Sequence, residues 1–232
     1  MISVIVPARN EEEWIARCLK SLREQKYDGE YEIIVVDGSS DDRTPEIAEK
    51  YADKVFRSHP KGPAGARDLG AKKARYKILA FTDADCVVSP FWLSRIEQDI
   101  KGDVIAVGGV IRPYRGRLID RIMFKINSDW WVRISARLGI YQLYGNNCAY
   151  RKDKFMEVGG FCTKLSFFED TDLSMRVRKI GKVMIDRHMW IKTSTRRFRE
   201  MGYAKLFRIN LDAFICTLLK KPIKTEYFVK KR

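Results

Sequence analysis

Short runs of β-branched residues alternate with amphipathic stretches along the first half of the chain. This switch between strand and helix periodicity is the pattern of βαβ units and a mostly parallel sheet. Residues 2–6 read as a buried strand. Asn10, with Glu13 three positions on, predicts a capping box, and Ile15, Cys18, Leu19 and Leu22 then share one helix face. A second strand is expected at 33–36, others around Val55-Phe56, at 78–81 and at 104–111. Thr44-Pro45 reads as N-cap and first residue of a helix that turns Ile47, Ala48 and Tyr51 inward. Gly62-Pro63-Ala64-Gly65 reads as a turn into an Ala-rich helix, and Ser89-Pro90 as the start of a helix bearing Leu93, Ile96 and Ile100.

Right-handed crossovers put the carboxyl ends of parallel strands along one edge, where open α/β sheets bind ligands. Asp37 follows the 33–36 strand, and Asp83 and Asp85 follow the 78–81 strand. Three carboxylates are therefore expected in one crevice.

Between Arg117 and Leu138, apolar Ile119, Ile122, Ile126, Trp130, Ile134 and Leu138 recur every three or four residues, as do Arg117, Arg121, Lys125, Arg133 and Arg137. This predicts a basic amphipathic helix, suited either to an anionic membrane interface or to packing its apolar stripe on the domain. Residues 206–221 repeat the theme before a tail ending Lys230-Lys231-Arg232.

Composition sharpens that contrast between the halves. The 232 residues suffice for one domain and carry a formal net charge of +15. Residues 1–111 hold 17 Lys+Arg against 19 Asp+Glu, while residues 112–232 hold 28 against 11. The second half is thus built to meet an anionic surface or ligand. The five cysteines are scattered and form no C-x-x-C pair, which suggests reduced thiols in a cytoplasmic, cytosol-facing protein. No signal peptide is expected, and no window approaches the roughly 18 uncharged apolar residues of a spanning helix.

Five short stretches carry the chemistry. Val4-Ile5-Val6-Pro7-Ala8-Arg9-Asn10-Glu11-Glu12, Ile34-Val35-Val36-Asp37-Gly38-Ser39-Ser40-Asp41-Asp42, Thr82-Asp83-Ala84-Asp85 and, further on, Gly145-Asn146-Asn147 with Glu169-Asp170-Thr171-Asp172 occur in order. They resemble the family 2 glycosyltransferases over roughly residues 1 to 195. The resemblance implies an α/β, GT-A, Rossmann-like single domain with a mostly parallel central sheet flanked by helices. Residues 1–111 would be its nucleotide-sugar-binding half, 112–195 its acceptor and catalytic half, and 196–232 a basic amphipathic segment. It also implies a metal-dependent inverting transferase that moves a sugar from a UDP- or GDP-sugar to a sugar or lipid-phosphate acceptor.

The residue types suit that reaction. A nucleotide-sugar diphosphate gains charge on its leaving oxygen, which a divalent cation offsets, and hard carboxylate oxygens suit Mn²⁺ or Mg²⁺. Asp85 is the expected metal ligand; a solvated acidic turn is the alternative. Resemblance gives Pro7, Ala8, Glu12, Asp37 and Asp83 to the nucleoside pocket and Arg67 to base or phosphate, against an ordinary Asx turn at Asp37-Gly38 and a surface Arg on the Ala-rich helix. Transfer also needs a base for the acceptor proton: Asp170, with Glu169 beside it, or else these residues serve the dipole of the helix that Thr171 or Asp172 caps. Gly145 and Asn146 are placed beside the acceptor, His188 as a further metal ligand as in some relatives, and Arg196 and Arg197 against phosphates. A nucleotidyltransferase is a competing reading, though no Gly-rich phosphate loop with its Lys is present. A nucleic-acid-binding protein is another, without an RNA- or DNA-binding motif to support it, and no nucleic-acid partner is expected.

Overall fold

The computed structural model describes residues 1–59, 62–165 and 168–218. The elements run β1 (Ile2–Ala8), α1 (Ile15–Arg23), β2 (Tyr31–Asp37), α2 (Thr44–Ala48), β3 (Lys54–Arg57), α3 (Gly62–Lys73), β4 (Ile78–Phe81), β5 (Cys86–Val88), α4 (Trp92–Asp99) and β6 (Val104–Pro113). A helical run follows as α5 (Leu118–Phe124), a π-helical segment (Lys125–Trp130) and α6 (Trp131–Arg137). Then come β7 (Cys148–Arg151), α7 (Lys152–Glu157), α8 (Glu169–Arg178), β8 (Lys182–Thr193), α9 (Arg196–Met201) and α10 (Tyr203–Leu218).

One eight-stranded sheet has the order β3-β2-β1-β4-β7-β6-β8-β5. Its first four strands are parallel, as the alternating pattern predicts. β7 runs antiparallel between β4 and β6, β8 lies parallel to β6, and β5 closes the far edge antiparallel to β8. Successive side chains of a strand point to opposite faces. Val4 and Val6 therefore join Ile33 and Val35 under α1 and α4, while Ile5 joins Ile34, Val36 and Phe81 under α3, α7 and α8. Burial on both faces explains the continuous apolar runs.

Three local expectations are corrected. Asn10 does not cap α1: it is left-handed (φ +53°), its Oδ1 accepts from the Asp41 N–H at 2.9 Å, and the helix starts at Ile15. Thr44 is the first residue of α2, preceded by Arg43, and its hydroxyl serves the Glu11 N–H instead. Residues 62–65 form the opening turn of α3. Ile15, Cys18, Leu19 and Leu22 are fully buried as expected. Residues 219–232, including the Lys230-Lys231-Arg232 tail, lie outside the described residues.

The 118–137 run packs by the side opposite to its apolar stripe. Asp120, Phe124, Ser128, Val132 and Ser135 face inward, and Leu118, Ile119, Ile122, Trp130, Ile134 and Leu138 are exposed. The reason lies at the sheet. Beyond Gly108, β6 has lost β7 as a neighbour, and Ser128 takes the strand's place: it accepts from the Ile111 N–H (2.9 Å) and donates to the Ile111 carbonyl (2.7 Å). Open backbone groups must be paired, so a hydroxyl face turns inward. Asp120 anchors the start of the run by accepting from the Arg117 N–H, Arg199 and the Tyr203 hydroxyl. Among the described residues no helix is long and apolar enough to cross a membrane.

Candidate active site

Ala8 and Asp37 are register partners at the ends of β1 and β2, and the Gly38 N–H donates to the Ala8 carbonyl at 2.8 Å. Asp37 is wholly buried. It accepts from the Ser40 N–H (3.1 Å) and hydroxyl (2.5 Å), with Arg57 3.8 Å away. The two following loops are stitched together: the N–H groups of Asn10, Glu11 and Glu12 donate to Ser40, Thr44 and Asp42 at 2.8 to 3.1 Å. Left-handed Asn10 and Ser39 (φ +53° and +61°) are strained non-glycine conformations that this network holds in place. Pro7 and Ala8 end the strand beneath it. Glu12, expected in the nucleoside pocket, meets Arg43 at 3.2 Å on the exposed side of the same loop pair.

β4 delivers Asp83 and Asp85 to the same edge, the Thr82 N–H donating to the Ile5 carbonyl of β1 at 3.2 Å. Arg67 reaches this turn from α3, its side chain 5% exposed. It meets Asp83 at 2.8 Å and Glu169 of α8 at 3.1 Å. Burial works against its charge, but Asp83 and Glu169 more than offset this, so its pKa is raised and it stays a cation. It is no surface arginine. It bridges the first half of the chain to the second.

Gly145 lies against this bridge: a Cβ there would stand 3.0 Å from the Arg67 guanidinium carbon, so glycine lets the loop close over the cation. The Gly145 N–H donates to Asp170 Oδ2 at 3.0 Å, and the Thr171 N–H to Oδ1 at 2.7 Å. Burial raises the pKa of both Asp170 and Glu169, the charge of Asp170 raises Glu169 further, and Arg67 opposes both shifts. The neighbouring amides part company. Asn146 is half-buried beside Cys86, while fully buried Asn147 accepts from Trp92 Nε1 (2.8 Å) and donates to the Val110 and Met189 carbonyls (3.0 Å each), pinning the sheet.

Asp85 is buried, with Thr193 Oγ1 at 3.4 Å. β8 brings Thr193 here because Thr193 pairs with Cys86. His188 is exposed five positions back, where the register with β6 jumps from Asp186 to Trp190. Among the described residues it joins no cluster of three His, Cys, Asp or Glu side chains. Arg196 does reach the edge, meeting Glu11 at 3.2 Å; the side chain of Arg197 lies outside the described residues. Thr193 and the Arg67 bridge are the contributions that pattern reading did not supply.

Among the described residues no three His, Cys, Asp or Glu side chains gather as a preformed metal cage. Mg²⁺ and Mn²⁺ sites completed by substrate phosphates and water use only one or two carboxylates. Asp85 fits such a site, Asp83 being already committed to Arg67. All five cysteines are free, and burial pushes the thiols of Cys18, Cys86 and Cys148 well up, so they stay neutral.

Sheet and crevice together define a GT-A-type α/β domain that gathers ligand-binding groups at the carboxyl edge of its strands. The chain belongs to glycosyl transferase family 2, whose family model matches residues 3–161. It is 31% identical over 198 residues to glycosyltransferase AglE of Haloferax volcanii, covering 81% of this chain and 64% of AglE. The crystal structure of Staphylococcus aureus TarS 1-349 in complex with UDP-GlcNAc superposes with TM-score 0.66 and 26% identity, over 83% of this chain and 58% of that one. Mannosyltransferase PcManGT from Pyrobaculum calidifontis, in complex with GDP-Man and Mn²⁺, shares the fold at TM-score 0.72 and 22% identity, over 95% of this chain and 64% of that one. The chain spans less than two thirds of the length of each of these relatives.

Proposed function

We propose that this chain moves a hexosyl unit from a UDP- or GDP-sugar to an acceptor hydroxyl, with inversion at the anomeric carbon. The observation that carries the reading is the Arg67 bridge, which ties Asp83 on the donor-side strand edge to the Glu169-Asp170 pair. Residues 1–111 then hold the donor, 112–195 supply the acceptor site and base, and 196–232 form a basic flank.

The acceptor oxygen bonds to the anomeric carbon as that carbon's bond to the diphosphate oxygen breaks, and the nucleoside diphosphate leaves. Asp170 takes the acceptor proton. Each of its oxygens accepts one backbone N–H, which fixes the carboxylate and leaves a lone pair for the proton. Asp37 accepts from base or ribose above Pro7 and Ala8, and Gly145 and Asn146 line the acceptor side. Arg196, held by Glu11, turns its remaining N–H groups to phosphate, and Arg197 of the same turn is given that role too. Asp85 would hold Mn²⁺ or Mg²⁺, which when bound would supply positive charge to offset that gained by the leaving diphosphate.

The acceptor is lipid-linked or membrane-associated on this reading, because the exposed apolar stripe of 118–138 carries Arg121, Lys125, Arg133 and Arg137 among its side chains. That composition fits the cytosolic face of an anionic membrane.

Release of UDP from UDP-GlcNAc and of GDP from GDP-mannose, with and without Mn²⁺, tests the core of the proposal. Asp85→Ala is expected to abolish release; full activity in that variant would refute the metal assignment. Pyrophosphate release in place of nucleoside diphosphate would turn the assignment toward nucleotidyl transfer.

A further inference from the structure

Beside the strand pair β6–β8, under the start of the 118–137 run, lies a cavity of about 650 Å³. Six cations line it: Arg112 of β6, Arg115 of the following loop, Arg121 of α5, Lys125 of the π-helical segment, and Arg187 and Lys192 of β8. Its one carboxylate, Asp129, stands 3.5 Å from Arg133, its neighbour one helical turn on. Among the described residues none of the six cations makes an ion pair. Arg112 and Lys192 instead share the Trp190 ring, and Lys125 lies over Trp130.

Like charges held around one cavity repel, by about 1 kcal/mol per pair at 4 Å even in water and more near a low-dielectric wall. The six come from five stretches of chain and are all solvent-exposed, an arrangement whose mutual repulsion a bound anion would relieve. Val110, Ile111 and Phe124 give the cavity an apolar, buried floor. Left-handed Arg115 (φ +50°) turns the loop so that its side chain joins the lining. The same helix then presents Leu118, Ile119, Ile122 and Trp130 to solvent next to Arg121 and Lys125. A soluble polyanion would satisfy the cations and leave this apolar row in water; an amphiphile satisfies both.

We propose that this cavity binds the phosphate of an anionic phospholipid, seated by the six cations while the adjoining exposed side chains enter the acyl region. Its lining shares no residue with those placed in the Asp85–Asp170 crevice, and the proposal rests on the reading of residues 118–138 as membrane-facing.

Cosedimentation at low salt with phosphatidylglycerol vesicles, against phosphatidylcholine vesicles, tests it. The intact chain is expected to prefer phosphatidylglycerol. Arg121→Gln/Lys192→Gln, one cation from each wall, is expected to lower partition by about tenfold or more. Arg117→Gln/Arg137→Gln removes the same charge from the same helical run outside the cavity lining, leaves Arg133 on Asp129, and is expected to cost under about threefold. Equal losses would mean a diffuse basic face and overturn the cavity site while sparing the membrane reading. Absence of any preference in the intact chain would overturn both. Glycerol 3-phosphate that raises the melting temperature of the intact chain but not of the Arg121/Lys192 variant, without vesicle binding, would mark a soluble-phosphate site and overturn the lipid source. Nucleoside diphosphate release without vesicles is expected to persist in both variants and reports on the transferase separately.

Discussion

Around Arg67 one buried cation meets two carboxylates at 2.8 and 3.1 Å, whereas around the β6–β8 cavity six cations meet one carboxylate that is already shared with Arg133. The first arrangement finds its opposite charges within the chain, and charge there holds two distant stretches together. The second is complete only with something from outside. Net charge alone would assign both regions to the same cause. The pairing pattern separates a preorganised site from a docking site.

The largest effect is expected where the pairing is tightest. Arg67→Met leaves Asp83 and Glu169 without their cation in a buried setting, a loss of about 3 kcal/mol, or roughly 6–12 °C in melting temperature for a chain this size. Donor turnover should vanish with it. Adding Asp83→Asn and Glu169→Gln should restore much of the melting temperature and none of the activity. If Arg67→Met melts like the parent, the bridge is not structural and the contrast between the regions fails.

Asp170→Asn comes next. Its single amide oxygen can still accept from one of the two backbone N–H groups, Gly145 or Thr171, but the proposed base is removed, so transfer should slow by about 10²–10⁴-fold while the donor dissociation constant hardly moves. A donor-binding defect alone would refute the role. In its proposed role as base Asp170 works ionised, and burial has raised its pKa. Activity should therefore fall with decreasing pH earlier than an ordinary aspartate would allow, and a kcat profile flat through the usual carboxylate range would contradict this.

Much of the β1–β4 strand edge, the proposed donor side, was legible because its signals are local. A β-branched run ending in Asp37 or Asp83-Ala84-Asp85 names both the strand and the edge at which the carboxylates stand. Arg67 was visible as a cation, but its second partner, Glu169, is 102 positions away, and no periodicity encodes that. β5, β7 and β8 were not anticipated: Cys148–Arg151 is four residues long, and β8 breaks register around His188, the residue that resemblance had put on the metal. The 118–138 helix was legible as a helix, yet its orientation was not. Apolar spacing marks a stripe without saying whether that stripe faces protein or not, and here the unpaired Ile111 backbone drew Ser128 inward instead. Arg196 was assigned to phosphate from its charge, while its contact with Glu11 depends on a strand end that the pattern did not place.

The smallest effect tests a third arrangement, a carboxylate pair with no cation between. Asp99 of α4 and Asp186 of β8 face each other, each with one buried oxygen lacking another partner. Burial first, and then the charge of Asp186, raise Asp99 to about 7. A raised carboxyl pKa means that the fold prefers the protonated form. The stability it contributes is present below the unfolded value near 3.8 and is lost as pH rises through about 7. Asp99→Asn supplies the donor without needing the proton, so it should stabilise the protein at pH 8 and change little at pH 4. Asp99 is only half-buried, so the gain, discounted for solvent screening, is about 1 kcal/mol, or roughly 2–4 °C. Melting curves of parent and variant at both pH values decide the matter. A gain of equal size at pH 4 would show that the asparagine improves packing or capping and that the pair carries no shared proton.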